Sequence, residues 1–161
     1  GLEAARLPGR TEVVQDHPLV MLDGAHNPQK VQALVRWFTQ HHPGASPVVV
    51  TGFIDSKDAR AMLQELASVA SLLVLTEPQV DGKPAMPVEV LANLTQDLQH
   101  PVPAESESDP RAALELAIAR ASETGQPVLV TGSLYLIGNV RGRWYSNTEV
   151  LLQRTPWPRS N

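Results

Sequence analysis

The sequence predicts a three-layer, mostly parallel α/β sheet with an N-terminal hairpin, and three observations predict it. Short apolar runs alternate with segments of helical periodicity along most of the chain. The runs are continuously apolar, as strands buried on both faces must be, and their alternation with helices implies right-handed crossovers between parallel strands. Two of them, Val48-Val49-Val50-Thr51-Gly52 and Val128-Leu129-Val130-Thr131-Gly132, end alike. That shared strand-to-loop chemistry suits a Rossmann-like sheet, whose ligands gather at the carboxyl ends of its strands.

The 161 residues suffice for one domain, taken here as 1–161; at this size roughly 70% of the unfolded surface is buried on folding. Apolar residues make up 42% and charged residues 19%, which excludes a disordered chain. A net charge of −4 argues against nucleic-acid and membrane-surface binding. There is no Cys, which excludes thiolate nucleophiles, disulfides and Cys-type zinc sites. No apolar run approaches the ~18 residues of a membrane span and no signal peptide is visible, so the expected location is the cytoplasm. The chain starts at Gly1, as an excised or processed piece of something longer would.

Residues 1–9 are a polar lead-in punctuated by Pro8-Gly9, with Arg10 following. Residues 11–15 read as a short strand, and Asp16-His17-Pro18 as the turn of a hairpin into a strand over 19–22. Then comes Asp23-Gly24-Ala25-His26-Asn27-Pro28, where Asn27 is a good N-cap and Pro28 suits the first helical position. Val31, Leu34, Val35 and Phe38 form one helical face, ending near His41-His42. The adjacent histidines point to different faces and make a poor metal site. A strand over 47–52 precedes a helix marked by Ala59, Met62, Leu63 and Leu66. A third parallel strand covers 72–76, and a proline-rich loop covers 77–87. Val88, Leu91, Leu94 and Leu98 mark a helix, and 101–104 reads as a proline-flanked strand near an edge. Asp109 caps a helix to about Glu123, and residues 127–132 form the last strand. Residues 133–141 form a short helix, and the tail from Gly142 reads as irregular.

The strand ends collect Asp23, Gly24 and His26, then Thr51-Gly52, Thr76-Glu77 and Thr131-Gly132-Ser133. Each alone is ordinary strand-end and capping chemistry; four such ends along one edge predict a pocket. Asp23 can accept two hydrogen bonds from a ribose diol. His26 can donate to a phosphate or carboxylate. Arg10 can fork onto a phosphate. Ser133 opens a helix whose free N–H groups favour an anion. The chain has no Gly-x-x-x-x-Gly-Lys-Ser/Thr loop, dinucleotide fingerprint or nucleophile elbow.

Four blocks now carry a resemblance: Leu7-Pro8-Gly9-Arg10, Leu22 to Pro28, Ser56-Lys57-Asp58, and Thr131 to Arg141, which contains Gly-Ser-Leu-Tyr-Leu. In this order and spacing they resemble the C-terminal domain of the folylpolyglutamate synthase/dihydrofolate synthase family, within the Mur ligase superfamily. The resemblance spans about residues 5 to 141. It implies an enzyme that joins L-glutamate to a folate or pteroate, using ATP and Mg2+ through an acyl phosphate. It also implies that the P-loop, the metal ligands and most of the folate site lie in a larger N-terminal ATPase domain, expected to be missing from this chain and to be its partner.

Carried over by residue, Arg10 is expected at the ATP phosphates, Asp23 at the ribose, His26 near phosphates and glutamate, and Ser133 at the glutamate carboxylate. These are positioning roles, with no catalytic or metal-binding residue expected here. The family often has an Asp where Ser56 stands, and Lys83 only partly represents its basic loop. A monomer is expected. Two other readings stay open: the equivalent domain of a peptidoglycan Mur ligase, and a stand-alone nucleotide-binding module without catalysis.

Overall fold

The computed structural model describes residues 6–56 and 58–160. Strands β1 (Glu12–Asp16) and β2 (Leu19–Leu22) form the expected hairpin, antiparallel, with a bulge between Val13 and Gln15. The chain then runs α1 (Pro28–His41), β3 (Val48–Thr51), α2 (Ala59–Ala67), β4 (Leu72–Leu75), α3 (Val88–Thr95), β5 (Ala104–Ser106), α4 (Pro110–Thr124), β6 (Val128–Thr131), α5 (Leu134–Arg141) and α6 (Asn147–Gln153). The sheet order is β1-β2-β6-β3-β4-β5, and every pair beyond the hairpin is parallel. The expected three-layer architecture is therefore the observed one.

Right-handed crossovers explain the layers. From β3 to β5 the chain steps outward across the sheet, and α1, α2 and α3 share one face. Their residues Val31, Phe38, Met62, Leu66 and Leu91 pack there against Met21, Val49, Leu73 and Leu129. Helix α4 then returns the chain to β6, which slots between β2 and β3. That reversal puts α4 and α5 on the other face, where Leu114, Ala117 and Ile137 pack against Val20, Leu22, Val50 and Val130. Each fully buried Leu or Val contributes about 1.5–3 kcal/mol relative to exposure.

Three expectations need correction. Helix α3 ends at Thr95, so Leu98 joins the core from beyond it. The edge strand sits at Ala104–Ser106, not 101–104. Proline has no N–H to donate to a ladder, so Pro103 supplies only its carbonyl, to the Leu73 N–H at 2.9 Å, and pairing proper begins at Ala104. The tail is not wholly irregular, because it contains α6. The Ser146 hydroxyl accepts the Glu149 N–H at 3.2 Å, the start of a Ser-x-x-Glu capping pattern. Helix α6 buries none of its residues, so it carries no apolar stripe for a periodicity reading to find. Among the described residues, no helix is long and apolar enough to cross a membrane.

Candidate functional site

Strand β6 sends its chain to α5 on one face, while its neighbour β2 sends its chain to α1 on the other. Such a divergence opens a crevice at the carboxyl ends of adjacent strands. The two loops are stitched together across it. The Asp23 N–H continues the ladder to the Val130 carbonyl at 2.9 Å, and the Gly132 N–H donates to the Ala25 carbonyl at 3.0 Å. Gly132 has φ +117°, a conformation nearly reserved for glycine, and a Cβ there would lie 2.6 Å from Thr51 Oγ1.

Asp23 is 9% exposed. Its Oδ2 accepts the Thr11 N–H and its Oδ1 the Ala25 N–H, both at 2.9 Å. Each carboxylate oxygen keeps a further lone pair, the acceptor set a vicinal diol needs. His26 is exposed, and its Nδ1 lies 2.9 Å from the Gly24 carbonyl. A carbonyl only accepts, so Nδ1 carries the proton and Nε2 is left for a ligand. Asn27 accepts the Lys30 N–H at 2.8 Å and caps α1 as its residue type predicts. Arg10 is exposed and held by its backbone, its N–H reaching the Leu7 carbonyl at 3.2 Å.

Arg10, Asp23 and His26 line one groove of about 630 Å³ between the Leu7–Thr11 segment and α1. Ser133 does not line it. It is 3% exposed, and its Oγ caps α5 by accepting the Tyr135 N–H at 3.1 Å. Its neighbour Leu134 forms part of the groove wall. Lys30 and Trp37 are lining residues that sequence reasoning missed. Lys30 lies in the first turn of α1, beside the loop that carries His26. The groove thus gathers the cations Arg10 and Lys30 with His26, and Leu34 and Trp37 add apolar lining.

Helix α5 also holds the 77–87 loop. Asn139 pairs with both the N–H and the carbonyl of Gln79, at 2.9 and 2.8 Å, and Lys83 Nζ donates to the Tyr135 hydroxyl at 2.6 Å. In Ser56-Lys57-Asp58, Lys57 lies outside the described residues. A second cavity of about 650 Å³ is lined by the carboxylates of Glu77, Asp81 and Asp109, and among the described residues no cation lines it. Among the described residues, no three His, Cys, Asp or Glu side chains converge on a point where a metal would sit.

Comparison with known proteins identifies the family and the fold. The family described as Mur ligase, glutamate ligase domain, matches residues 9–134. The dihydrofolate synthase/folylpolyglutamate synthase of Bacillus subtilis is 31% identical over 146 residues, covering 89% of this chain and 32% of that protein. The folylpolyglutamate synthase of Mycobacterium tuberculosis, solved with ADP and AMPPCP, superposes with a TM-score of 0.80 at 25% identity, covering 88% of this chain and 33% of that one. The bifunctional enzyme of Yersinia pestis, solved with AMPPNP and a Mn ion, gives a TM-score of 0.70 at 28% identity, covering 94% and 33%. The chain spans about a third of the length of these relatives. On its matched span, its motifs and its fold, the chain belongs to the Mur ligase glutamate ligase domain family.

Proposed function

We propose that this chain is the nucleotide- and glutamate-positioning domain of an ATP-dependent ligase that adds L-glutamate to dihydropteroate or folates. The observation that carries the reading is the groove, where Asp23 offers two free acceptor sites beside the cationic side chains of Arg10 and Lys30. That is the complement of a ribose followed by phosphates. The names of the relatives support the folate branch over a muropeptide ligase.

In the proposed reaction, ATP transfers its terminal phosphoryl group to the folate carboxylate. The glutamate amine attacks the resulting acyl carbon, the amide bond forms, phosphate departs and the amine loses a proton. A partner ATPase domain supplies the P-loop and metal ligands. This chain's part is positioning. Asp23 holds the ribose and Arg10 neutralises phosphate charge. With both ring nitrogens protonated, His26 donates from Nε2 to the phosphates or the glutamate, and the first turn of α5, which Ser133 caps, receives the glutamate carboxylate.

Calorimetry of the 161-residue chain with ATP and with adenosine tests the reading. Arg10→Ala is expected to weaken ATP by about tenfold, the scale of one charge-assisted hydrogen bond, and adenosine hardly at all. Equal losses for the two ligands would remove Arg10 from the phosphates.

A further inference from the structure

Glu12 is a fully buried carboxylate outside the groove, with 0% of its side chain exposed. Its Oε2 accepts the Gly9 N–H at 2.7 Å and Arg141 Nε–H at 3.1 Å. Its Oε1 accepts Arg141 Nη2–H at 2.9 Å and the Trp157 indole N–H at 2.8 Å. These donors come from three distant places: the segment before β1, the end of α5, and the tail beyond α6. Arg141 also donates to the Pro156 carbonyl and lies 4.5 Å over the Tyr145 ring, while Arg6 lies 4.9 Å over Trp157.

A buried ion pair is a poor explanation of stability, because well-packed apolar residues of the same shape usually serve as well. What the pair holds explains it better. Gly9 has φ +68° and Thr11 has φ +41°, so Arg10 sits between two residues in the left-handed region. A β-branched residue stays there only when its surroundings over-determine it. Glu12 grips the Gly9 N–H, the Gly9 carbonyl accepts the Gly24 N–H at 2.7 Å, and Asp23 grips the Thr11 N–H. Removing the Glu12 acceptor would leave the Gly9 N–H buried and unmatched.

We propose that Glu12 is a positioning residue for phosphate binding. With Arg141 and Trp157 it sets the backbone of Gly9-Arg10-Thr11, presents the Arg10 guanidinium to the nucleotide, and makes the tail beyond α6 part of the support of the site. The proposal rests on the nucleotide reading above, and its test separates the two. Glu12→Gln keeps the shape and removes the charge. Trp157→Phe keeps an aromatic six-membered ring, removes the indole N–H and trims the side chain, and it carries the test should the first variant fail to fold.

Two measurements are made on each variant of the whole chain. Hydrogen exchange at the Gly9 amide is expected to quicken about tenfold or more in Glu12→Gln, with the Val130 amide in β6 unchanged. ATP affinity is expected to fall about tenfold in Glu12→Gln and about threefold in Trp157→Phe, with adenosine affinity unmoved. In an Arg10→Ala background the ATP losses should vanish. Unchanged Gly9 exchange overturns the proposal, and so do parallel losses of ATP and adenosine or losses that persist without Arg10. A parent chain that binds no ATP defeats the nucleotide reading, and Gly9 exchange then decides alone whether Glu12 sets the loop.

Discussion

Asp23→Asn is the most informative single substitution, because Asp23 has both a structural and a ligand-facing duty. Its two oxygens each accept one backbone N–H at 2.9 Å, from Thr11 and from Ala25, in a site only 9% exposed. Asparagine has the same shape but one acceptor oxygen; its NH2 group must face one of the two N–H donors. One hydrogen bond to a charged acceptor is lost outright, worth about 1.5–3 kcal/mol, and the survivor falls to the strength of a neutral bond. The expected loss is therefore about 2–4 kcal/mol, a large part of a typical 5–15 kcal/mol total. Urea unfolding followed by circular dichroism reads it as a lower midpoint at unchanged slope. A loss under about 0.5 kcal/mol, the scale of a neutral surface change, would refute the view that this carboxylate holds both loops. Adenosine affinity, measured well below the variant's melting point, should fall as well.

Gly132→Ala should cost about 3 kcal/mol or more, since it combines a forbidden φ with overpacking; its Cβ would meet Thr51 Oγ1 at 2.6 Å and the Gly52 carbonyl at 2.8 Å. A wild-type urea midpoint would show that the strand end is softer than its contacts imply. Acid sensitivity should trace partly to Glu12. Burial pushes its carboxyl up, but hydrogen bonds from Arg141, Gly9 and Trp157 outweigh burial and hold it below its ordinary value. A depressed folded value means that the stabilisation is complete above the unfolded value and is lost as pH falls through the folded one. Urea midpoints measured from pH ~6 to ~2 should thus drop less steeply in Glu12→Gln than in the parent, and identical acid limbs would rule this out. Incubated with ATP, L-glutamate and dihydropteroate, the 161-residue chain should form no amide product; product formation would sink the half-site picture.

Local rules served well where one residue's chemistry decides the backbone. Asn27 and Asp109 are the caps their residue types predict, and the valine-rich runs over 48–51 and 128–131 are fully buried strands. They failed where the deciding partner is remote. Nothing near Pro101-Val102-Pro103 announces that pairing waits until Ala104, because the register is set by Leu73 in β4. Helix α6 escaped for the opposite reason, since it is a capped turn with no buried side chain. The candidate site divides in the same way. Asp23 and His26 were legible as residue types at a strand end and Arg10 in the lead-in before β1, and the groove gathers all three. Ser133 stands at the expected helix start, where its Oγ accepts the Tyr135 N–H, and it is buried outside the groove lining.

The sequence by itself determined the class of fold, the order of its strands along the chain, and the family, since these follow from periodicity, punctuation and short motifs. Only the tertiary structure decided that β6 inserts between β2 and β3, which opens the crevice beside Asp23. Only it brought Glu12, Arg141 and Trp157 together at the Gly9 N–H, one residue before Arg10. Residues 129 and 145 positions apart in sequence carry no local signal of their contact. Their meeting is fixed by the path of the chain over the sheet, where a buried carboxylate must find all its donors at once.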